Sequence, residues 1–155
     1  RLYTWAAAVD SVALADDENN PQKCDGDTTC LKNVKVRGIC PEGWHLPNYN
    51  EWDEFHAAST TYKTTNGWDR YYVAPSGYKD GIGTDIWGFS VIPAGWRKNA
   101  FFDAGEFAAF WSSTEIDDKD AYRFSVINSS GFIEDYTFVY RVAKAYGLSV
   151  RCVKD

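Results

Sequence analysis

Four cysteines, two histidines and two acidic runs are the side chains of this sequence that could do chemistry. Cys24, Cys30, Cys40 and Cys152 make an even set, which allows three disulfide pairings. The preferred one joins Cys24 to Cys30, closing the small polar loop Asp25-Gly-Asp-Thr-Thr29, and Cys40 to Cys152, tying the middle of the chain to its last segment. The rival is a four-cysteine zinc site, but there is no Cys-x-x-Cys pair, and His45 and His56 stand in unrelated spacing. Disulfides imply an oxidising compartment and therefore export. Asp25 and Asp27 suggest calcium, yet a helix-loop-helix calcium site closes on a Glu at its twelfth position, where this sequence has Val36. The run from Glu115 to Asp120 could offer cation ligands as well, but reads as a solvated turn between strands. No metal or other cofactor is expected.

An enzyme would need a convergent acid, base or thiolate. Glu51, Asp53 and Glu54 are accounted for by helix capping and by the helix dipole, and His45 reads as a hydrogen-bonded core histidine without a nucleophile beside it. The sequence therefore names no catalytic residue. It does name a binding surface, because the stretch from Thr64 to Gly105 is rich in turn residues and carries a dense set of aromatics. Trp68, Tyr71, Tyr72, Trp87 and Trp96 are the candidate ligand-binding residues, able to stack on sugar rings or to pack into a protein partner. The plainer reading is that such aromatics fill a core beneath the loops.

These residues must be positioned by a scaffold, and its organiser is the stretch from Cys40 to Phe55. Asn48 is the expected N-cap of a helix, Glu51 falls at N3 where it completes a capping box, and Trp52 can staple against Pro47. The helix is expected to end near Ser59 to Tyr62. Before it, Leu2 to Val12 reads as a short helix with Trp5, Val9 and Val12 on one side, and Asp16 to Thr29 as a surface loop. After it, Asn66-Gly67, Pro75-Ser-Gly77, Lys79-Asp-Gly-Ile-Gly83 and Pro93-Ala-Gly95 mark turns between short or irregular segments.

The last third changes to strands. Ala108 to Ser112 is one, Tyr122 to Ile127 alternates as a second, Asn128-Ser-Ser-Gly131 turns the chain, Phe132 to Tyr136 returns, and Leu148 to Val153 is the last. With 155 residues, of which 45% are hydrophobic and 17% aromatic, the chain is expected to form a single α+β domain over 1–155. The net charge of −6, with no basic cluster, opposes nucleic-acid binding. No run of about 18 apolar residues is present, so no membrane insertion is expected within this sequence. Arg1 opens without the pattern of a signal peptide, so any secretion signal or anchor is expected outside it.

Several stretches can be read together: Arg1-Leu-Tyr-Thr-Trp-Ala-Ala-Ala8, Cys40-Pro-Glu-Gly-Trp-His-Leu-Pro47 with Glu51-Trp52, Gly88-Phe-Ser90 followed by Pro93-Ala-Gly95, Phe110-Trp-Ser-Ser-Thr114 and Ser149-Val-Arg-Cys-Val153. In this order they resemble the Fibrobacter succinogenes major paralogous domain family over nearly the whole chain. Members usually begin with a further strand-rich lead segment, and the resemblance implies that this sequence lacks it. The family is similar to C-type-lectin-like and sulfatase-modifying-factor domains, whose Arg-Leu-Pro-Thr-x-x-Glu-Trp motif is echoed by His45-Leu-Pro-Asn48 and Glu51-Trp52. That implies two helices flanking a twisted, mainly antiparallel sheet with a long loop region. It also implies an extracellular or cell-surface module in bacteria that binds polysaccharide or a surface protein, without catalysis. A structural subunit of a surface fibril is the alternative, because a sheet without its lead strand could accept one from another chain. The calcium triplets of sugar-binding C-type lectins are missing. So is the reactive cysteine pair of the formylglycine-generating oxidase, since a Cys152 tied to Cys40 would be structural.

Overall fold

The computed structural model of the chain describes residues 1–11, 35–58, 67–69, 71–73, 77–79, 85, 88–127 and 137–155. For 58, 71–73, 77–79 and 137–138 it describes the backbone alone. The architecture is α+β, with short helices and antiparallel strand pairs.

The first helix, α1 (Trp5–Val9), is shorter than the expected span because the chain leaves the helical region at Asp10, whose φ is 53°. Trp5, Ala8 and Val9 are buried, and the Trp5 indole N–H donates to the Ser112 carbonyl at 2.9 Å. Val12 lies outside the described residues. The second described helix, α2 (Tyr49–Ala58), starts as the capping box requires. The Glu51 amide donates to Asn48 Oδ1 at 3.1 Å, and the Asn48 amide donates to Glu51 Oε2 at 2.8 Å. Both Pro47 and Trp52 are buried.

Strand β1 (Trp44–His45) lies just ahead of α2, and four short strands follow it: β2 (Tyr71–Val73), β3 (Gly77–Lys79), β4 (Trp96–Arg97) and β5 (Phe101–Phe102). β2 pairs with β3 and β4 with β5, so the described residues of this region form small ribbons, as its turn residues suggested. The one larger described sheet is an antiparallel meander of β6 (Phe107–Glu115), β7 (Asp120–Ile127) and β8 (Thr137–Ala143). Every residue of β6 is buried, because both faces of the sheet are covered. Phe107, Ala109 and Trp111 join Trp5, Val9, Val36, Leu46 and Leu148 on one side. Ala108 and Phe110 join Trp52, Trp68, Phe124 and Val126 on the other. This alternation is the period of two that a strand imposes on its side chains.

The described return strand is Thr137–Ala143, with Thr137 opposite Val126. The expected return over 132–136 lies outside the described residues. One strand expectation needs correcting, for Leu148 to Val153 is no single ladder. Leu148 pairs with Tyr3, and Ser149 receives its neighbours from β6, donating to the Ala109 carbonyl at 3.0 Å and accepting from the Trp111 amide at 3.0 Å. Only β9 (Val153–Lys154) makes a regular pair, with β1.

That pairing closes the fold. Cys40 and Cys152 form a disulfide with a sequence separation of 112 residues, as preferred from the sequence. Beside it, His45 is 3% exposed, with Nδ1 at 2.7 Å from Asp155 Oδ1 and Nε2 at 2.8 Å from Glu51 Oε1. His45 is thus a hydrogen-bonded core histidine, bridging the capping carboxylate of α2 to the end of the chain. The bond from His45 is the main reason the Asp155 carboxyl is held below its ordinary value, with Lys35 adding to it. The Cys24–Cys30 pairing lies outside the described residues.

Candidate functional site

A short hairpin, the open end of a sheet face and a tyrosine after β8 together build a groove on the described surface. The hairpin depends on Gly95, whose φ of +67° is left-handed. A Cβ there would come within 2.1 Å of the Phe102 carbonyl oxygen, so the backbone of β5 can approach only a glycine. β4 and β5 then pair Trp96 with Phe102 and Arg97 with Phe101. Arg97 and Gly147 exchange backbone hydrogen bonds of 2.9 and 2.7 Å, which brings Tyr146 against the hairpin.

The result is an aromatic stack. Trp96 lies between Phe102, with centroids 4.6 Å apart and planes 21° apart, and Tyr146, at 5.1 Å and 15°. Its indole N–H donates to Asp103 Oδ2 at 2.7 Å, so the ring is fixed at both faces and at its edge. Next to the stack Phe101 is 71% exposed and Tyr140 60% exposed.

Between these aromatics and the sheet is a groove of about 640 Å³, lined by Trp96, Asp103, Glu106, Phe107, Arg123, Tyr140 and Tyr146, with Asp120 and Arg141 at one end. Arg123 and Tyr140 stand directly opposite each other on β7 and β8, so register alone places them side by side. The Arg123 guanidinium lies 4.9 Å from the Phe107 ring centroid. Burial lowers its pKa, against a smaller opposing effect of Tyr140 and Tyr146. Arg141 differs, for it bonds to Asp120 and reaches Asp117 at 3.4 Å, and the Asp120 bond raises its pKa. Asp117 is held below its ordinary value chiefly by the amides of Lys119 and Asp120.

Chemically this is a groove with one exposed ring, Tyr140, the edge of the Trp96 stack, and fixed hydrogen-bonding groups at its floor and rim. Trp96 is the sequence candidate that it contains. Trp68 belongs elsewhere: it is 6% exposed, packs in the core with Trp52, and donates its indole N–H to the Val91 carbonyl at 3.2 Å, so it offers no face to a ligand. Tyr71 and Tyr72 lie on β2, their side chains outside the description, and Trp87 lies outside the described residues.

Sequence reasoning missed Arg123, Tyr140 and Tyr146 as site residues. The available signal was in the alternation of β7, which sets Arg123 on the opposite face from Phe124 and Val126, but its partners across the sheet depend on register. The acidic run after β6 is occupied internally. Glu115 pairs with Lys144, whose ammonium also donates to the Asp117 carbonyl at 2.6 Å and lies 4.6 Å from the Trp5 ring centroid. Among the described residues there is no group of His, Cys, Asp and Glu arranged to hold a metal ion, and no helix long and apolar enough to cross a membrane.

Among known proteins, no curated sequence and no solved structure matches the chain. A family model does, over residues 1–154, and its description is Fibrobacter succinogenes major domain.

Proposed function

The chain belongs to the Fibrobacter succinogenes major domain family, and we propose that it is an extracellular, non-catalytic recognition module of a bacterial surface or secreted protein, binding polysaccharide in the groove beside Trp96. The observation that carries this reading is the exposed ring of Tyr140, set in a groove beside the Phe102–Trp96–Tyr146 stack together with carboxylates and arginines. Sugar rings offer an apolar face to stack and hydroxyls to bond, and this surface supplies both. Export agrees with the Cys40–Cys152 disulfide. A finer architecture, C-type-lectin-like, is part of the proposal. It is supported by the way the last segment closes on earlier ones, Leu148 against Tyr3 and β9 against β1.

The test is binding to a panel of soluble plant and bacterial polysaccharides by affinity electrophoresis. Tyr140 is exposed and lines the groove, so Tyr140→Ala should leave the fold intact by circular dichroism while weakening binding by about two- to tenfold. Retardation of Tyr140→Ala equal to that of the native protein, or no retardation of the native protein by any polysaccharide, would overturn the reading.

A second reading, the structural subunit, is favoured by one observation. β8 is an outer strand of the meander among the described residues, with only β7 beside it, and an open edge can accept a strand from another copy. Sedimentation at high protein concentration separates the two, since a monomer throughout argues against assembly.

A further inference from the structure

We propose that the polysaccharide taken by the groove is acidic, built from uronate sugars, and that Arg123 is the residue that binds their carboxylates. The inference rests on the reading of the groove as a glycan site. Its basis is the contrast between Arg123 and the two other cations of the β7–β8 end of the sheet. Arg141 has Asp120 and Asp117, and Lys144 has Glu115. Arg123 has no carboxylate partner among the described residues. Its Nε is buried with no hydrogen-bond partner, and its charge rests only on the Phe107 ring and the neighbouring tyrosines.

Arg123 is half-buried, with its Nε fully so, and a guanidinium partly withdrawn from water in the floor of a groove without an anion offers a place for one from outside. A planar carboxylate matches the guanidinium fork with two parallel bonds. The acids nearby fix what else the ligand can be. Asp103 holds the Trp96 indole and Asp120 holds Arg141, while Glu106 is exposed at the rim. Three carboxylates around Arg123, which has no carboxylate partner among the described residues, repel a densely charged anion such as a sulfated or phosphorylated chain. They tolerate one carboxylate per sugar, and they can accept the hydroxyl protons of the same ring. Tyr140, opposite Arg123 in register, supplies a face on which that ring stacks.

The experiment is calorimetric titration of the whole chain with short oligomers of galacturonate, glucuronate and mannuronate, with the methyl esters of the same oligomers, and with neutral galactan and cellulose oligomers. The expected result is that at least one uronate binds about tenfold or more tightly than its own ester, as a charge-assisted pair requires. Arg123→Gln should bring acid and ester to the same affinity. Arg123→Lys, which keeps the charge and loses the fork, should restore part of the difference. Thermal unfolding of Arg123→Gln should match or exceed the native protein, since the glutamine removes a half-buried charge that has no carboxylate partner among the described residues. Neutral or esterified oligomers binding as well as the acids would overturn this inference and leave the glycan reading standing. A preference for the acid that survives Arg123→Gln would overturn the role of Arg123. Binding of none of the oligomers would overturn both readings.

Discussion

Replacing Cys40 and Cys152 together with alanine, or reducing their bond, should lower the unfolding free energy by about 5 kcal/mol, the chain-entropy value for a loop of this length. The loop closed is 112 residues long, so the bond restrains most of the unfolded chain. Domains are stable by only about 5–15 kcal/mol, so the reduced protein should be marginal or unfolded at body temperature. The loss is concentrated where the fold closes. Cys40 packs in the core cluster with Val36 and Leu46, and the β1–β9 pair and the His45–Asp155 bond depend on the same junction. Guanidinium denaturation with and without reductant checks this. A midpoint that does not move when mass spectrometry shows full reduction would contradict it.

The second large effect is expected at Trp52, at the centre of the other core. Its ring lies parallel to Phe124, with centroids 4.6 Å and planes 3° apart, and meets Phe55, Phe89 and Phe110 at 6.0, 6.3 and 6.0 Å. Its indole N–H donates to the Trp111 carbonyl at 3.3 Å, so one side chain joins α2 to the meander and both cores to each other. Trp52→Ala should cost about 3–5 kcal/mol, because the aromatic neighbours cannot collapse into the space. For a domain of this size that is about 10 °C or more in Tm. Trp52→Phe keeps most of the contact and should cost less. Calorimetric melting of the two variants decides it, and equal melting temperatures for Trp52→Ala and the native protein would sink the packing account.

What the sequence made legible was local. The capping box at Asn48 and Glu51 needs only residues three apart, and both of its bonds are present. The Pro93-Ala-Gly95 turn announced itself through a glycine that no other residue can replace without strain. His45 could be read as a core histidine because nothing near it in sequence could use it as a base, although its partner Asp155 is 110 residues away. The family, read from short motifs in a fixed order, was legible as well.

The groove was not, for a physical reason. Its wall comes from Trp96 of β4 and from Asp103 and Glu106, its floor from β7, and its far side from β8 and Tyr146, and a sequence does not state which residues of separate strands stand opposite one another. A shift of one residue in β8 would have set Arg141 rather than Tyr140 beside Arg123, and the face would carry two arginines instead of a stacking ring. Trp68 and Trp96 show the same limit from the other side. Both stand in a glycine-rich stretch, yet Val91 and Phe110 enclose the first, while Phe102 and Tyr146 stack on the second at the groove's edge.

The most direct test of the groove as the binding site is chemical-shift mapping of the isotopically labelled native protein during titration with the uronate and neutral oligomers. The account predicts saturable shifts concentrated on the backbone of Arg123, Tyr140 and Tyr146 and on the Trp96 indole N–H, with His45 and Trp52 still. Saturable shifts that leave these four untouched and gather elsewhere, as around the exposed Trp44, would contradict it.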